Sequence, residues 1–360
     1  MRLCLTYNTR KSYIDVLKTV AIISVIFCHL QLNDAIGTNV WFIRCDNILI
    51  DRLWYILGYI FANLSIPMFM LITGANRFRN TEVTEIDYRK LFKEIMKIII
   101  LLIIFQVPFY LYNHMKHDSA FTIIDFAKTI YSSNVEPIYW YFPGFYLAFL
   151  LSYPILKKFT LKATKKDYEY LFIVYAITQL LINNIAKRYN IYSNIPFAIF
   201  SYTYMYPLFG DLICNKYDES DFSISKIAIL VICAFIYFIT SERYDAMNIY
   251  VAMIILVLMR YTSSKNLDFS KLRGSKFYKV IDFSAKNALV FYLLHPYILR
   301  IIYKISNKIY IRSIMYVDYI VGIIFLFINF IVTYIVIFAL KKILLFNGTS
   351  KKEHFWKVSR

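Results

Sequence analysis

About ten long apolar runs, separated by short polar segments, dominate the pattern of hydrophobic and polar positions along this chain. Most are about 17 to 25 residues long, the length that an α-helix needs to cross the hydrocarbon core of a bilayer. The pattern therefore predicts an all-α polytopic membrane protein with about ten transmembrane helices. The predicted helices fall near 14–32, 48–73, 92–113, 138–156, 169–186, 195–214, 224–240, 244–260, 284–303 and 316–340.

Two of these runs are irregular, so the helix count is open by one or two. The run at 195–214 holds Pro196 and Pro207 together with Tyr202 and Tyr204, which is compatible with a re-entrant or broken helix. The run at 224–240 is short for a membrane span.

The composition favours a single membrane domain. Of 360 residues, 59% are hydrophobic and 18% are charged, and the mean hydropathy of +0.52 is higher than a soluble domain of this size needs. No Gly/Ser linker or visible internal repeat separates two halves. We therefore predict one transmembrane domain over residues 1–345 and a basic cytoplasmic tail over 346–360.

The five cysteines form no Cys-x-x-Cys pair, so neither a disulfide framework nor a metal site is expected.

The positive charge of the chain follows the pattern of membrane topology. The formal net charge is +18, from 41 Lys and Arg against 23 Asp and Glu. With the N-terminus in the cytoplasm, about three quarters of the basic residues fall in inner segments, which is the positive-inside bias of polytopic proteins. This bias explains the charge without a nucleic-acid partner. It predicts that both termini are cytoplasmic and that the apolar surface contacts a lipid bilayer.

The first apolar helix carries two polar residues that need an explanation, Lys18 near its start and His29 deep inside it. An α-helix turns about 100° per residue, so eleven steps leave the two side chains about 20° apart on one face and about 16 Å apart along the axis. Ionisable groups in a membrane span are costly and usually face a cavity, a partner or a substrate path. Neutral imidazole can accept a proton near neutral pH, so His29 is a candidate general base.

Asp15 does not fit the role of a partner for this base. It precedes Lys18 by three residues, close enough to pair with it, but lies about 21 Å from His29 along the axis. A group that orients His29 therefore has to come from another helix, and the sequence does not identify it.

Five motifs in order along the chain carry a family resemblance. The first helix resembles that of acyltransferase family three, whose hallmark is an arginine, ten intervening residues and a histidine; Lys18 stands here in the arginine's place, before His29. Thr73 replaces a serine in the family's second motif, and Ile138 stands where a histidine is common in the third. The likeness extends from about residue 11 to 340. The four later motifs are similar to the chain at 65–74, 137–154, 206–211 and 284–296.

The resemblance implies an activity, a location and a set of site residues. Members of this family are integral-membrane acyltransferases that typically O-acetylate cell-envelope sugars, so it implies an O-acetyltransferase in the bacterial cell membrane that uses acetyl-CoA. In that reading His29 is the base, and the phosphates of acetyl-CoA lie near Lys18 and the basic inner loops. The residues assigned by this reading are His29 for catalysis, Lys18, Arg77 and Arg79 for the donor, and Glu136, Trp140, Tyr141 and His295 for the glycan acceptor.

Other interpretations of the same residues stay open at this point. Lys18 is compatible with snorkelling to the interface, Trp140 and Tyr141 with an aromatic belt, and His295 with a packing role in its helix. Glu136 and Asp211, near predicted helix ends, fit solvated or capping residues better than ligands.

Other functions also stay open. A transporter or flippase for a lipid-linked sugar would share the composition, although such folds are often built from repeats, which are not visible here. A non-catalytic membrane partner is a third class. Succinyl or another short acyl group could replace acetyl, and a homo-oligomer is compatible with the sequence.

Overall fold

The computed structural model of the chain describes residues 12–31, 48–79, 85–117, 122–132, 145–188, 200–240, 249–264, 275–306 and 317–346. The regular secondary structure of these residues is helical throughout. The helices are α1 Ser12–Gln31, α2 Ile48–Leu64, α3 Ile66–Arg77, α4 Tyr88–His117, α5 Ile123–Ser132, α6 Leu147–Lys162, α7 Lys165–Arg188, α8 Tyr206–Asp211, α9 Ile224–Thr240, α10 Ile249–Ser264, α11 Lys276–Lys286, α12 Ala288–Ser306 and α13 Val317–Phe346.

The membrane character predicted from the sequence is confirmed in its coarser form. Within the described ranges, four stretches are long and apolar enough to cross a membrane, namely Ser12–His29, Ile56–Arg77, Tyr88–Tyr112 and Gly322–Ile343. Three shorter apolar helices accompany them, over Ile224–Ile239, Ile249–Ser263 and Ala288–Ile302. The count of about ten spans, the cytoplasmic termini and the domain boundaries at 345 and 346 stay predictions.

Helix α1 lies in the centre of the bundle. Two thirds of its apolar stretch (67%) is buried inside the protein, whereas only 22% of the corresponding stretch of α13 is buried. Helix α1 packs against α2, α3, α11, α12 and α13. A helix so enclosed presents its polar side chains to other protein groups rather than to lipid, which is the condition under which ionisable residues are tolerated at membrane depth.

Two of the predicted helices are interrupted. The run at 48–73 breaks at Ser65, because Pro67 lacks a backbone N–H and fits only the first turn of a new helix. The hydroxyl of Ser65 donates to the carbonyl of Ala62 at 2.5 Å and so satisfies one group left open by the break. The run at 284–303 is likewise not one helix, since α11 ends at Lys286 and α12 begins after Asn287, whose side chain donates to the Phe283 carbonyl.

The prolines in 195–214 predicted an irregular segment, and the structure describes this segment from residue 200 onward. Helix α8 is flanked by π-helical turns over Ser201–Met205 and Leu212–Lys216. Wide turns of this kind mark local adjustments of an otherwise continuous helix. The chain is therefore helical from Ser201 to Lys216 without a loop. Its buried backbone groups form hydrogen bonds within the segment, as buried polar groups require.

Helices α3 and α8 cross with their backbones in direct contact. A Cβ atom built on Gly74 would lie 1.8 Å from the Pro207 carbonyl oxygen, and one built on Gly210 would lie 1.8 Å from the Leu71 carbonyl oxygen. The contact is reciprocal, because each glycine faces a carbonyl of the other helix. Small residues permit this close approach between membrane helices.

The expectation that Asp211 is solvated or caps a helix end is wrong. Asp211 is 1% exposed, and the Tyr168 hydroxyl donates to one carboxylate oxygen at 2.5 Å while the Asn215 amide donates to the other at 2.7 Å. The amide of Asn215 also donates to the Ala75 carbonyl at 2.9 Å. Because the helical segment continues past residue 211, this carboxylate ties α3, α7 and the π-helical turn together instead of ending a helix.

The turn at Glu219–Asp221 gives a test of pH-dependent stability at the start of α7. The Lys165 ammonium and the backbone N–H of Asp218 both donate to Asp221, so the pKa of that carboxyl lies below its usual value. A carboxyl with a depressed pKa in the folded state contributes stability above its unfolded pKa of about 4, and this is lost as the pH falls through the folded value. We expect Asp221→Asn to lower the thermal midpoint at pH 7 and the difference from wild type to shrink on acidification.

The measurement is thermal unfolding of detergent-solubilised protein between pH 7 and pH 3 at low salt. Glu219→Gln, an exposed residue of the same turn, serves as the control. High salt should weaken the effect, since exposed ion pairs are screened. An Asp221→Asn difference that is constant across this pH range would contradict the assignment.

Candidate active site

The structure brings His29 of α1 and His295 of α12 together. The Nδ1 atom of His29 and the Nε2 atom of His295 lie 2.8 Å apart, and the two rings stack with centroids 4.9 Å apart and planes 20° from parallel. His29 is partly exposed and His295 is 1% exposed. Two residues 266 positions apart in sequence therefore form one hydrogen-bonded imidazole pair, and the group from another helix that contacts His29 is His295.

Contacts of both its ring and its backbone carbonyl hold His295 in place. Its Nδ1 atom lies 3.3 Å from the Phe291 carbonyl oxygen, and its own carbonyl accepts a hydrogen bond from the Asn329 amide at 3.1 Å. The Thr333 hydroxyl donates to the Asn329 side-chain oxygen at 3.4 Å. Asn329 and Thr333 are fully buried polar residues at i and i+4 of the apolar helix α13. Neither residue was predicted from the sequence, although polar residues one turn apart in an apolar span are a usable signal.

The other end of α1 is anchored on α11. The Tyr278 hydroxyl donates to the Asp15 carboxylate at 3.1 Å, and the Thr19 hydroxyl donates to the Ile281 carbonyl at 3.2 Å. Asp15 is 1% exposed, so it serves as a link between helices. These contacts fix the depth of the neighbouring Lys18, which is partly exposed.

Because α1 is a continuous α-helix over Ser12–Gln31, the offset of about 16 Å between Lys18 and His29 follows from its rise per residue.

A helix break lies next to the histidine pair. The Cys28 side chain hydrogen-bonds with Ser65, at the break between α2 and α3, and the rings of Phe27 and Phe61 pack with centroids 4.6 Å apart. Irregular backbone at membrane depth is tolerated where it is enclosed in protein or lines a cavity. The break therefore belongs to the surroundings of His29.

The two predicted donor-binding arginines have different surroundings. Arg77 forms a salt bridge with Glu94, and its guanidinium also lies 5.8 Å from the centroid of the Tyr153 ring. Its charge is thus already matched by a carboxylate. Arg79 is partly exposed, and its guanidinium acts electrostatically on the Tyr13 hydroxyl near the start of α1.

A third arginine, which is not among the site residues predicted from the sequence, joins Arg79 beside Tyr13. Arg260 of α10 also acts electrostatically on the Tyr13 hydroxyl, and it donates from Nη2 to the Tyr217 carbonyl. Its Nη1 atom is buried and has no hydrogen-bond partner among the residues that the structure describes. Two guanidinium groups therefore lie near the end of α1 that is remote from His29.

Three of the predicted acceptor-binding residues, Glu136, Trp140 and Tyr141, lie outside the described residues. Of the described site residues, His29 and His295 meet, while Lys18, Arg77 and Arg79 belong to other parts of the bundle. No group of three or more His, Cys, Asp or Glu side chains able to hold a metal ion occurs within the described ranges.

The arrangement supports proton transfer. A hydrogen-bonded pair of imidazoles can take up a proton on one ring and stabilise the resulting cation through the other, as an oriented base requires. The pair joins two residues 266 positions apart in sequence. His29 lies at the end of the first helix, and His295 directly precedes Pro296 inside α12.

Comparison with known proteins identifies the family. No curated protein and no solved structure matches the chain. A family model described as an acyltransferase domain matches residues 11–342, nearly the whole chain. With its apolar helices and this match, the chain belongs to acyltransferase family 3 and is a membrane acyltransferase.

Proposed function

We propose that the protein moves an acetyl group from cytosolic acetyl-CoA to a hydroxyl of a cell-envelope or exopolysaccharide sugar, with His29 as the general base. The observation that carries the proposal is the histidine pair between two helices of an acyltransferase-family bundle, where His295 contacts His29 at 2.8 Å. An alcohol is a poor nucleophile at neutral pH, and a positioned base is the group that its attack on a thioester needs.

One proton is transferred twice in the reaction, first to His29 and then away from it. The sugar hydroxyl oxygen bonds to the thioester carbonyl carbon while its proton passes to His29. The tetrahedral intermediate then collapses, the carbon–sulfur bond breaks, and the proton passes from His29 to the leaving sulfur. The products are the acetyl ester of the sugar and the free thiol of CoA, and His29 is restored for the next turnover.

The spacing along α1 suits a donor that enters from the opposite end of the helix. Lys18 lies about 16 Å from His29 along the axis, a distance comparable with the pantetheine arm of CoA. The phosphates would lie near Lys18 and near Arg79, which has no carboxylate partner among the described contacts, and the thioester would reach His29. Arg77 is a weaker candidate for this role because Glu94 already neutralises it.

The membrane location supports a transfer between two compartments. Acetyl-CoA is made in the cytosol, whereas envelope sugars are presented outside, so a protein that spans the bacterial cell membrane can join the two. Glu136, Trp140 and Tyr141 remain the proposed contacts of the acceptor, whereas His295, which the resemblance assigned to the acceptor, is 1% exposed and contacts His29.

The test is a transfer assay with sealed membrane vesicles of the native host, prepared with and without the protein. Radiolabelled acetyl-CoA is added to inside-out and right-side-out vesicles, and label is counted in the glycan fraction before and after treatment with hydroxylamine, which cleaves esters. We expect protein-dependent, hydroxylamine-sensitive label in inside-out vesicles, where the cytoplasmic face is accessible, and none in right-side-out vesicles. Radiolabelled succinyl-CoA is the matched comparison.

Each other outcome contradicts a named part of the proposal. Label from succinyl-CoA alone overturns the acetyl donor, and label in right-side-out vesicles overturns the cytosolic origin of the donor. If no label is transferred but loss of the protein removes the glycan from the cell surface, a transporter or flippase for a lipid-linked sugar is the better interpretation.

A further inference from the structure

Pro296 and two backbone carbonyls determine which ring nitrogen of His295 carries its proton. A proline inside a helix cannot donate to the carbonyl four residues earlier, so the Tyr292 carbonyl in α12 lacks its usual backbone donor. The His295 ring hydrogen-bonds with the carbonyls of Phe291 and Tyr292, and Nδ1 lies 3.3 Å from the Phe291 oxygen. A carbonyl oxygen can only accept, so Nδ1 of His295 is the donor.

The tautomer of His295 then determines the tautomer of His29. In neutral imidazole one nitrogen carries the proton and the other carries a lone pair. With its proton on Nδ1, His295 presents the lone pair of Nε2 to His29 across 2.8 Å. The atom that faces it, Nδ1 of His29, therefore has to be a donor. The lone pair of His29 is left on Nε2.

We propose that His295 is the positioning residue of the transfer reaction: it locks His29 in the tautomer that is protonated on Nδ1, so that Nε2 of His29 is the atom that takes the proton of the attacking hydroxyl. The inference rests on the proposed function, since it names the basic atom of that same site. Of the residues that the structure describes, His295 is the one titratable group that acts electrostatically on His29.

The proton balance of this arrangement keeps both rings in place through the reaction. When Nε2 of His29 takes the hydroxyl proton, His29 becomes a cation that still donates from Nδ1 to the neutral Nε2 of His295. When Nε2 returns the proton to the leaving sulfur, the starting tautomer is restored without any ring flip. His295 acts through His29 and needs no contact with the substrate.

The contacts behind His295 restrict the orientation of its ring. His295 is 1% exposed, its carbonyl accepts from the Asn329 amide, and Asn329 is itself fully buried. A buried, hydrogen-bonded support fixes ring orientation, and orientation of the base by a third group is the general logic of hydrogen-bonded catalytic residues. The support here consists of carbonyls and an amide rather than a carboxylate, so the groups that hold His295 carry no negative charge.

Two isosteric substitutions of His295 separate positioning from packing. The amide of glutamine reaches the place of Nε2, where its oxygen can accept from Nδ1 of His29, whereas the shorter asparagine reaches only the place of Nδ1. We expect His295→Gln to retain at least about tenfold more kcat than His295→Asn, because one buried hydrogen bond to a charged group is lost in the latter. The KM for acetyl-CoA should be similar in both, since the donor phosphates lie at the other end of α1.

The independent readout is nitrogen-15 NMR of histidine-labelled protein, in which the two neutral tautomers give different ring-nitrogen shifts. His29→Gln identifies the signal among the five histidines of the chain. We expect the Nδ1-protonated form for His29 in wild type and a shift toward the Nε2-protonated form in His295→Leu. Monodisperse elution of each variant from a sizing column shows that the bundle is intact, and if His295→Leu does not fold, His295→Asn takes its place.

The outcomes distinguish this inference from the proposed function. Wild-type His29 protonated on Nε2, or equal kcat for the Gln and Asn variants, overturns the positioning role. A wild-type protein that shows the expected tautomer but transfers no acetyl label leaves the histidine geometry correct and refutes the donor or the acceptor instead.

Discussion

Replacing His29 with glutamine is expected to lower kcat for acyl transfer by about a thousandfold, the middle of the range that a positioned general base supplies. Glutamine is close to histidine in size, so the bundle should stay intact. It has no lone-pair nitrogen that can take a proton. The KM for the acyl donor should change little, because its phosphates are proposed to lie about 16 Å away.

The measurement is the vesicle transfer assay at matched protein levels, with kcat and KM determined separately. His114→Gln is the matched control, because it makes the same substitution on α4, where the His114 ring packs on Tyr110 with centroids 4.1 Å apart. Its rate should equal that of wild type. If His29→Gln retained a tenth or more of wild-type kcat, His29 would not be the base and the pair would be a packing contact.

Gly74→Ala is expected to prevent stable folding. The new methyl group would lie 1.8 Å from the Pro207 carbonyl oxygen, and a backbone atom enclosed in a helix cannot move aside as a side chain can. The same argument applies to Gly210→Ala against the Leu71 carbonyl. Separating α3 from α8 would also disturb the network around buried Asp211, so we expect a cost of more than about 4 kcal/mol, which few single substitutions reach.

Folded yield gives the measurement, as the monodisperse fraction on a sizing column after extraction in mild detergent. We expect Gly74→Ala and Gly210→Ala to reduce it by at least about tenfold. Asn76→Ala, an exposed position on the same helix, should leave it unchanged. A wild-type yield for either glycine variant would show that the two helices do not cross in backbone contact.

The helical membrane character of the chain was predictable from the sequence, because the thickness of the bilayer sets the length of the apolar run that an α-helix needs to cross it. The breaks at Ser65 and Asn287 were harder to predict. At Ser65 the run stays apolar through the break, and only Pro67 marks it. The break at Asn287 depends on a side-chain contact of that residue with Phe283, which composition does not reveal.

For the site, the sequence identified His29 but not its partner. Residues on one helix follow from the rise and rotation per residue, which is why the spacing of Lys18 and His29 was predictable. The meeting of His29 and His295 depends on how α1 and α12 pack, and no local pattern encodes a contact across 266 positions. Asp211 illustrates the same limit, since its burial comes from the approach of Tyr168 on another helix.

The distance along α13 from Lys341 to Asn329 gives an expected depth for the histidine pair in the membrane. Lys341 lies near the end of its apolar stretch and 5.4 Å from the centroid of the Phe283 ring. A lysine near the end of a membrane helix extends its ammonium toward the headgroups, so Lys341 is taken as the reference level. Asn329, which contacts His295, is twelve residues away, or about 18 Å along the helix, whereas half of the hydrocarbon layer is about 15 Å.

For a helix along the membrane normal, the pair thus lies just beyond the midplane as measured from the lysine end. Under the proposed function, a polar acceptor that arrives from the far leaflet would have to descend about 12 Å past the headgroups. Thicker bilayers would lengthen that passage and thinner ones would shorten it, so we expect turnover under the proposed function to depend on the acyl-chain length of the surrounding lipid.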